Sequence, residues 1–131
     1  MTSSRRELTV GFSGIAQIVV FVDKPAAAAS FWAELFDARH RLADGGALVE
    51  LDFAELFFHP VDREKTASGE EKNPRGASTV VYLAVEELEA ARERLLAAGC
   101  EAWRGPIEIE DGRRICQVRD PFGTVWGLDG P

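Results

Sequence analysis

Side chains able to do chemistry are scarce in this chain. Among its 131 residues there are two histidines, two cysteines and one tyrosine. Cys100 and Cys116 lack the Cys-x-x-Cys spacing of a zinc or redox site, and two cysteines make no disulfide framework. Both read as reduced thiols packed at strand positions, which implies a cytoplasmic location. His40 lies between Arg39 and Arg41 and reads as a surface residue. His59 precedes Pro60 at the end of a strand-like run, a rim position, and no partner that would fix its tautomer for base catalysis is legible. Gln17 stands in the apolar run 15–22. Its amide either anchors a ligand or bonds to neighbouring backbone or water, because a buried unpaired amide costs about 1–3 kcal/mol. Period-2 alternation sets Glu55, Phe57 and His59 on one face of their strand. Arg113 and Arg114 follow Asp111-Gly112, either as a solvated turn or as a place to meet an anionic or acyl group. Trp32, Trp103 and Trp126 offer aromatic surface. Trp32 and Trp126 read as packing between helix and sheet, and Trp103, followed by Arg104-Gly105-Pro106, as the end of a strand where a ligand or a second copy could touch.

These residues are positioned by two similar halves. Gly14 to Asp23 is a strand-like run feeding an alanine-rich amphipathic stretch, and 63 positions later Ala77 to Glu86 does the same. Each half predicts a strand, a helix and three further strands. A single β-α-β-β-β unit cannot bury its sheet face alone, so the two must meet. The run 15–22 carries no charge and predicts a strand buried on both faces. Asp23 offers an N-cap and Pro25 a first-turn proline for the first helix. Strands are expected at 39–42, 47–52 and 55–59. In the second half Glu86 and Glu87 suit the positive end of a helix, Gly99 its stop, and strands follow at 100–103, 113–118 and 124–128. Residues 61–76 have no apolar periodicity and read as an exposed connection. The domain plan is therefore a tail at 1–13 and a single domain at 14–131, built of modules 14–60 and 77–129.

A length of 131 residues, 46% apolar and 28% charged, is that of an ordinary one-domain globular protein. A net charge of −7 argues against a nucleic-acid partner. No apolar run approaches the roughly 20 residues needed to cross a bilayer. The first seven residues lack the apolar core of a signal peptide.

The duplication, closed by Asp120-Pro121-Phe122-Gly123-Thr124-Val125-Trp126-Gly127-Leu128, resembles the vicinal oxygen chelate superfamily, the group of glyoxalases, extradiol dioxygenases and bleomycin-resistance proteins. The resemblance covers 14–128. It implies an α+β fold in which two βαβββ modules form a cup-shaped, eight-stranded mixed sheet with helices outside, and a homodimer. In enzymes of that family, up to four cup-facing side chains hold a divalent metal that polarises vicinal substrate oxygens. Carried onto this chain, those positions fall on Gln17, Phe57, Val80 and Gly127. Valine and glycine have no side-chain donor, and a first-row ion needs at least three good ones. The resemblance thus implies no metal and no cofactor, and a cup lined by Gln17, Val19, Phe21, Val80, Tyr82, Ala84, Phe57 and Gly127, with His59 and Trp103 at its margin. Such an apolar, aromatic-walled cup suits a small organic molecule such as an antibiotic. Two alternatives stand beside it. One is a metal-dependent lyase, isomerase or dioxygenase using Gln17, Glu55 and His59. The other is a dimeric interaction module whose cup is vestigial.

Overall fold

The computed structural model describes residues 15–73 and 79–131. The tail expected at 1–13 lies outside them. In chain order the elements are β1 (Gln17–Val22), α1 (Pro25–Phe36), β2 (His40–Ala43), β3 (Gly46–Glu50), β4 (Glu55–Pro60), β5 (Asp62–Lys65), β6 (Glu71–Asn73), β7 (Val81–Ala84), α2 (Leu88–Ala97), β8 (Glu101–Glu108), β9 (Arg114–Arg119) and β10 (Val125–Gly130). The eight module strands form two four-stranded mixed sheets, ordered β1-β4-β3-β2 and β7-β10-β9-β8. In each, the first strand of the module lies parallel to the last and the remaining pairs are antiparallel. This is the tandem βαβββ plan, divided into two open sheets. The connection between the modules contains the small hairpin β5-β6.

The registers confirm that the duplication is structural. Val19 faces Phe57 across β1 and β4, while Tyr82, 63 positions after Val19, faces Gly127 across β7 and β10. Phe57 and Gly127 are therefore matched positions.

Local chemistry explains the helix limits, with one correction. The residue before α1 is Lys24, not Asp23, and it makes no side-chain cap. Pro25 occupies the first helical position, where its missing N–H is an orphan in any case. The helix ends at Asp37, in the left-handed region at φ 53, whose N–H returns to Ala33 and Glu34 carbonyls. α2 ends at Ala98, and Gly99 then takes φ +112, a conformation that penalises any Cβ.

One core serves both modules. Trp32, Ala28 and Ala29 of α1 pack with Val22, Val49, Leu56 and Phe58 of the first sheet and with Val118, Trp126 and Leu128 of the second. Each fully buried large side chain contributes about 1.5–3 kcal/mol. Two strands depart from expectation. β1 turns Val22 into the core but leaves Gln17 and Val19 exposed, so it is not buried on both faces. Such a charge-free run predicts two covered faces only when a second layer exists, and here one face of the sheet stays open. β8 does not end at Trp103. It continues through the cis Gly105-Pro106 bond to Glu108, with irregular pairing to β9, and all eight residues are exposed. The glycine and proline that read as a loop are accommodated because β8 is an edge strand.

Candidate functional site

Alternation along the strands gives each sheet an open face. On the first sheet it carries Gln17, Val19 and Phe21 from β1, opposite Glu55, Phe57 and His59 of β4 in that register. Gln17 is exposed, so it is not a core amide. It sits beside Glu55, whereas His59 lies four residues further along the strand, at the other end of the face. Among the described residues, no three His, Cys, Asp or Glu side chains converge as a metal-holding group. His59 instead joins an aromatic cluster, its ring 5.5 Å from Phe21 and 5.6 Å from Phe57, both edge-on. Its Nδ1 lies 2.8 Å from the Pro60 carbonyl. A carbonyl only accepts, so Nδ1 donates and, in the neutral ring, Nε2 keeps the lone pair.

On the second sheet the open face carries Tyr82 and Ala84 of β7, Gly127 of β10 and Gln117 of β9, and Gly127 is flanked directly by Tyr82 and Gln117 in the ladders. A side chain at 127 would collide with Cγ, Cδ2 and Cε2 of Tyr82. The tyrosine ring thus occupies the space above the glycine. The Gln117 amide Nε2 donates to the Tyr82 hydroxyl at 2.8 Å. Tyr82 remains 41% exposed despite this contact. Trp103 is 52% exposed, with the Arg119 guanidinium 5.5 Å from its ring centroid, and Arg119 also pairs with Glu101 at 3.3 Å. Arg113 is held 3.0 Å from Asp129 at the edge of the face, so it pairs within the chain.

Two recesses of about 330 Å³ flank the junction of β1 and β7. The first is lined by Val19 and Phe21 on one side and by Val80, Trp103, Gln117 and Thr124 on the other. The second is lined by Ile18, Phe36 and Phe53 against Tyr82 and Ala84. A larger recess of about 540 Å³ lies behind the turn at 120–123, but it is more open and walled by Lys24, Glu101 and Arg119. The aromatic recesses carry the better-defined surface. Of the expected lining residues, Val19, Phe21, Val80 and Trp103 come together in the first recess, and Tyr82 lines the second. Gln17, Phe57, His59 and Gly127 line neither; they lie on the open faces.

Residues missed from sequence hold this junction together. Asp120 is 4% exposed. Its Oδ2 accepts from the indoles of Trp32 and Trp126, each at 2.9 Å, and its Oδ1 from the backbone N–H groups of Phe122 at 3.0 Å and Thr124 at 2.9 Å. The two indole rings lie 4.5 Å apart. Because Trp32 belongs to the first module and Asp120 to the second, one carboxylate ties the halves behind the first recess. The sequence signal was the turn Asp120-Pro121-Phe122-Gly123, which predicts an aspartate bonding its own backbone but not the two tryptophans. Cys100 and Cys116 are both buried and free. Burial pushes the Cys100 thiol up to about 11, with the Asp120 charge adding to it, and burial likewise raises Cys116. Neither is an activated nucleophile.

The chain belongs to the glyoxalase/bleomycin resistance protein/dioxygenase superfamily, whose family model matches residues 14–128. No curated protein sequence matches the chain. Solved structures share the fold at low identity. TnmS3, an antibiotic binding protein from Streptomyces sp. CB03234, is 19% identical over 94% of this chain and 99% of its own, with a TM-score of 0.69. A glyoxalase-related enzyme from Fulvimarina pelagi is 21% identical over 92% of this chain and 89% of its own, at 0.70. A lactoylglutathione lyase from Agrobacterium tumefaciens is 16% identical over 91% and 94%, at 0.62. The same fold therefore hosts binding proteins and enzymes, and function must be argued from the site.

Proposed function

We propose that this protein binds a small, flat, apolar or aromatic organic molecule against its open sheet faces, without a catalytic metal. The observation that supports this most is the arrangement at Gly127. At this position the family resemblance implies a carboxylate ligand; here a glycine lies beneath the ring of Tyr82. Val80, at the matching first-strand position, also lacks a donor atom, which leaves too few ligands for a first-row ion. What remains is aromatic wall, which binds by burying area and by stacking. The antibiotic binding neighbour is in keeping with this reading. The ligand-contacting set is Gln17, Val19, Phe21, Phe57 and His59 from the first module with Val80, Tyr82 and Trp103 from the second; Gly127, covered by the Tyr82 ring, acts by seating that ring. The free, buried cysteines fit a reducing compartment such as the cytoplasm.

A second copy is the other partner that this reading calls for. Val19, Tyr82, Trp103 and Ile107 are exposed apolar residues on or beside the open faces, and the β8 edge is uncovered. A homodimer would cover them, which light scattering at micromolar concentration reads directly.

The test of ligand binding is a fluorescence titration with a panel of flat aromatic compounds. Trp103 is the exposed indole of the first recess, whereas Trp126 lines both recesses but is buried, so Trp103 carries the solvent-accessible part of the signal. Saturable quenching that disappears in Trp103→Phe is expected. A panel that neither quenches the native protein nor raises its melting temperature would contradict the reading.

A further inference from the structure

We infer that the Tyr82 hydroxyl, held by Gln117, is a hydrogen-bond donor that selects ligands carrying an acceptor oxygen, such as an aryl ketone, over hydrocarbons of the same shape. This inference rests on the proposed binding function and specifies the ligand class.

Three observations carry it. The first is the direction of the hydrogen bond. The Gln117 Nε2–H donates to the Tyr82 oxygen at 2.8 Å, so the phenolic proton is not used in that contact. A phenol that accepts through its oxygen still has its O–H to give. Among the described residues, the bond from Gln117 is the one hydrogen bond found at that hydroxyl. With Tyr82 41% exposed, the donor is available to solvent or to a ligand.

The second is position. Tyr82 lines one apolar recess and Gln117 the other, so their hydrogen bond spans the two. A ligand lying along the aromatic walls of either meets one polar group at the place where the recesses join. Sites of this kind use a few polar atoms to set orientation inside an otherwise apolar lining.

The third is the glycine. Gly127 has no left-handed backbone to explain it, and glycine in a strand interior weakens the strand. Its effect is to let the Tyr82 ring lean over β10 until the hydroxyl meets Gln117 on β9, across the ladder Tyr82–Gly127–Gln117. The hydrogen bond itself adds little stability, because the contact is exposed and water would satisfy either partner. A locally unfavourable residue that produces an exposed, pre-positioned donor is the pattern expected of a site rather than of a core.

The experiment compares 9-fluorenone with fluorene, which share a flat tricyclic shape and differ in the carbonyl, by quenching of Trp103 and by calorimetry. Tyr82→Phe removes the hydroxyl and keeps the ring over Gly127. The native protein is expected to bind fluorenone about tenfold more tightly than fluorene, the effect of one hydrogen bond of about 1.4 kcal/mol. In Tyr82→Phe the two affinities should converge, and a melting temperature equal to that of the native protein shows that the fold is intact. Gln117→Leu should narrow the ratio, since the hydroxyl loses its support. A fluorenone preference that survives Tyr82→Phe, or no preference in the native protein, would overturn the anchor while leaving the binding function standing. If neither compound binds the native protein, the binding function falls and the anchor with it.

Discussion

Replacing Asp120 with asparagine changes one atom's chemistry at the point where the two modules are tied. The carboxylate accepts four hydrogen bonds, two at each oxygen, and is 4% exposed. An asparagine keeps the shape but has one carbonyl oxygen. Whichever way it turns, its NH2 faces two donors, either the indoles of Trp32 and Trp126 or the N–H groups of Phe122 and Thr124. Two hydrogen bonds are lost and two buried donors are left unpaired. Hydrogen bonds to a charged acceptor contribute about 1.5–3 kcal/mol each. The loss is therefore about 3–6 kcal/mol, a large fraction of the 5–15 kcal/mol typical of a whole domain. At about 3–5 °C per kcal/mol for a chain of this length, the melting temperature should fall by about 10–30 °C. Calorimetry on Asp120→Asn gives this directly. Trp32→Phe, which keeps a ring but removes one donor, should cost less. In the Asp120→Asn background the further cost of Trp32→Phe should shrink by at least about 1 kcal/mol, the signature of a shared interaction. If Asp120→Asn melts within about 2 °C of the native protein, or if the two costs simply add, the carboxylate does not join the modules as argued.

Other expectations follow from the same geometry. Gly127→Ala places a methyl group against the Tyr82 ring, so the ring must swing away from Gln117. It should lower stability by about 1–3 kcal/mol and weaken aromatic binding, read by melting and by Trp103 quenching. The two thiols give a pH dependence. Because burial holds the Cys100 thiol at about 11, above its ordinary value of 9.0, and raises Cys116 in the same direction, the unfolded chain sheds these protons at lower pH than the folded one. Stability should be level below pH 9 and decline as pH rises from about 9 toward 11, and native protein at pH 8 should react with Ellman's reagent only as fast as it opens.

The fold was largely legible because its strongest signal was redundant. Two runs 63 positions apart, each a strand feeding a helix, marked the modules, and the paired registers Val19–Phe57 and Tyr82–Gly127 begin at residues with that same separation. What misled was burial. The charge-free run around Gln17 looked like a fully covered strand, but hydrophobicity cannot tell a face covered by the chain's own core from one left open. The end of β8 was misplaced for a related reason. Gly105-Pro106 breaks a central strand, and nothing local announces that this strand lies at an edge. At the site, the face-sharing residues of one strand followed from alternation, so Glu55, Phe57 and His59 were correctly grouped on one side, and the pairing with β1 sets Gln17 beside Glu55. The two contacts that give the region its character were not legible. Asp120 meets Trp32 across 88 positions, and Gln117 meets Tyr82 across 35. Neither spacing is encoded by a helix or a strand period. Gly127 was noticed as a ligand position without a donor; that it makes room for an aromatic ring required the structure.

The central claim, aromatic binding without a catalytic metal, is tested most directly by elemental analysis. Tag-free protein would be incubated with nickel, zinc, manganese or iron(II) and then dialysed. The account predicts negligible retention of every ion, with quenching by flat aromatics unchanged after treatment with a chelator. Retention of one ion per chain that is lost in Gln17→Ala and His59→Ala would contradict it, and would make those side chains ligands of a working metal centre.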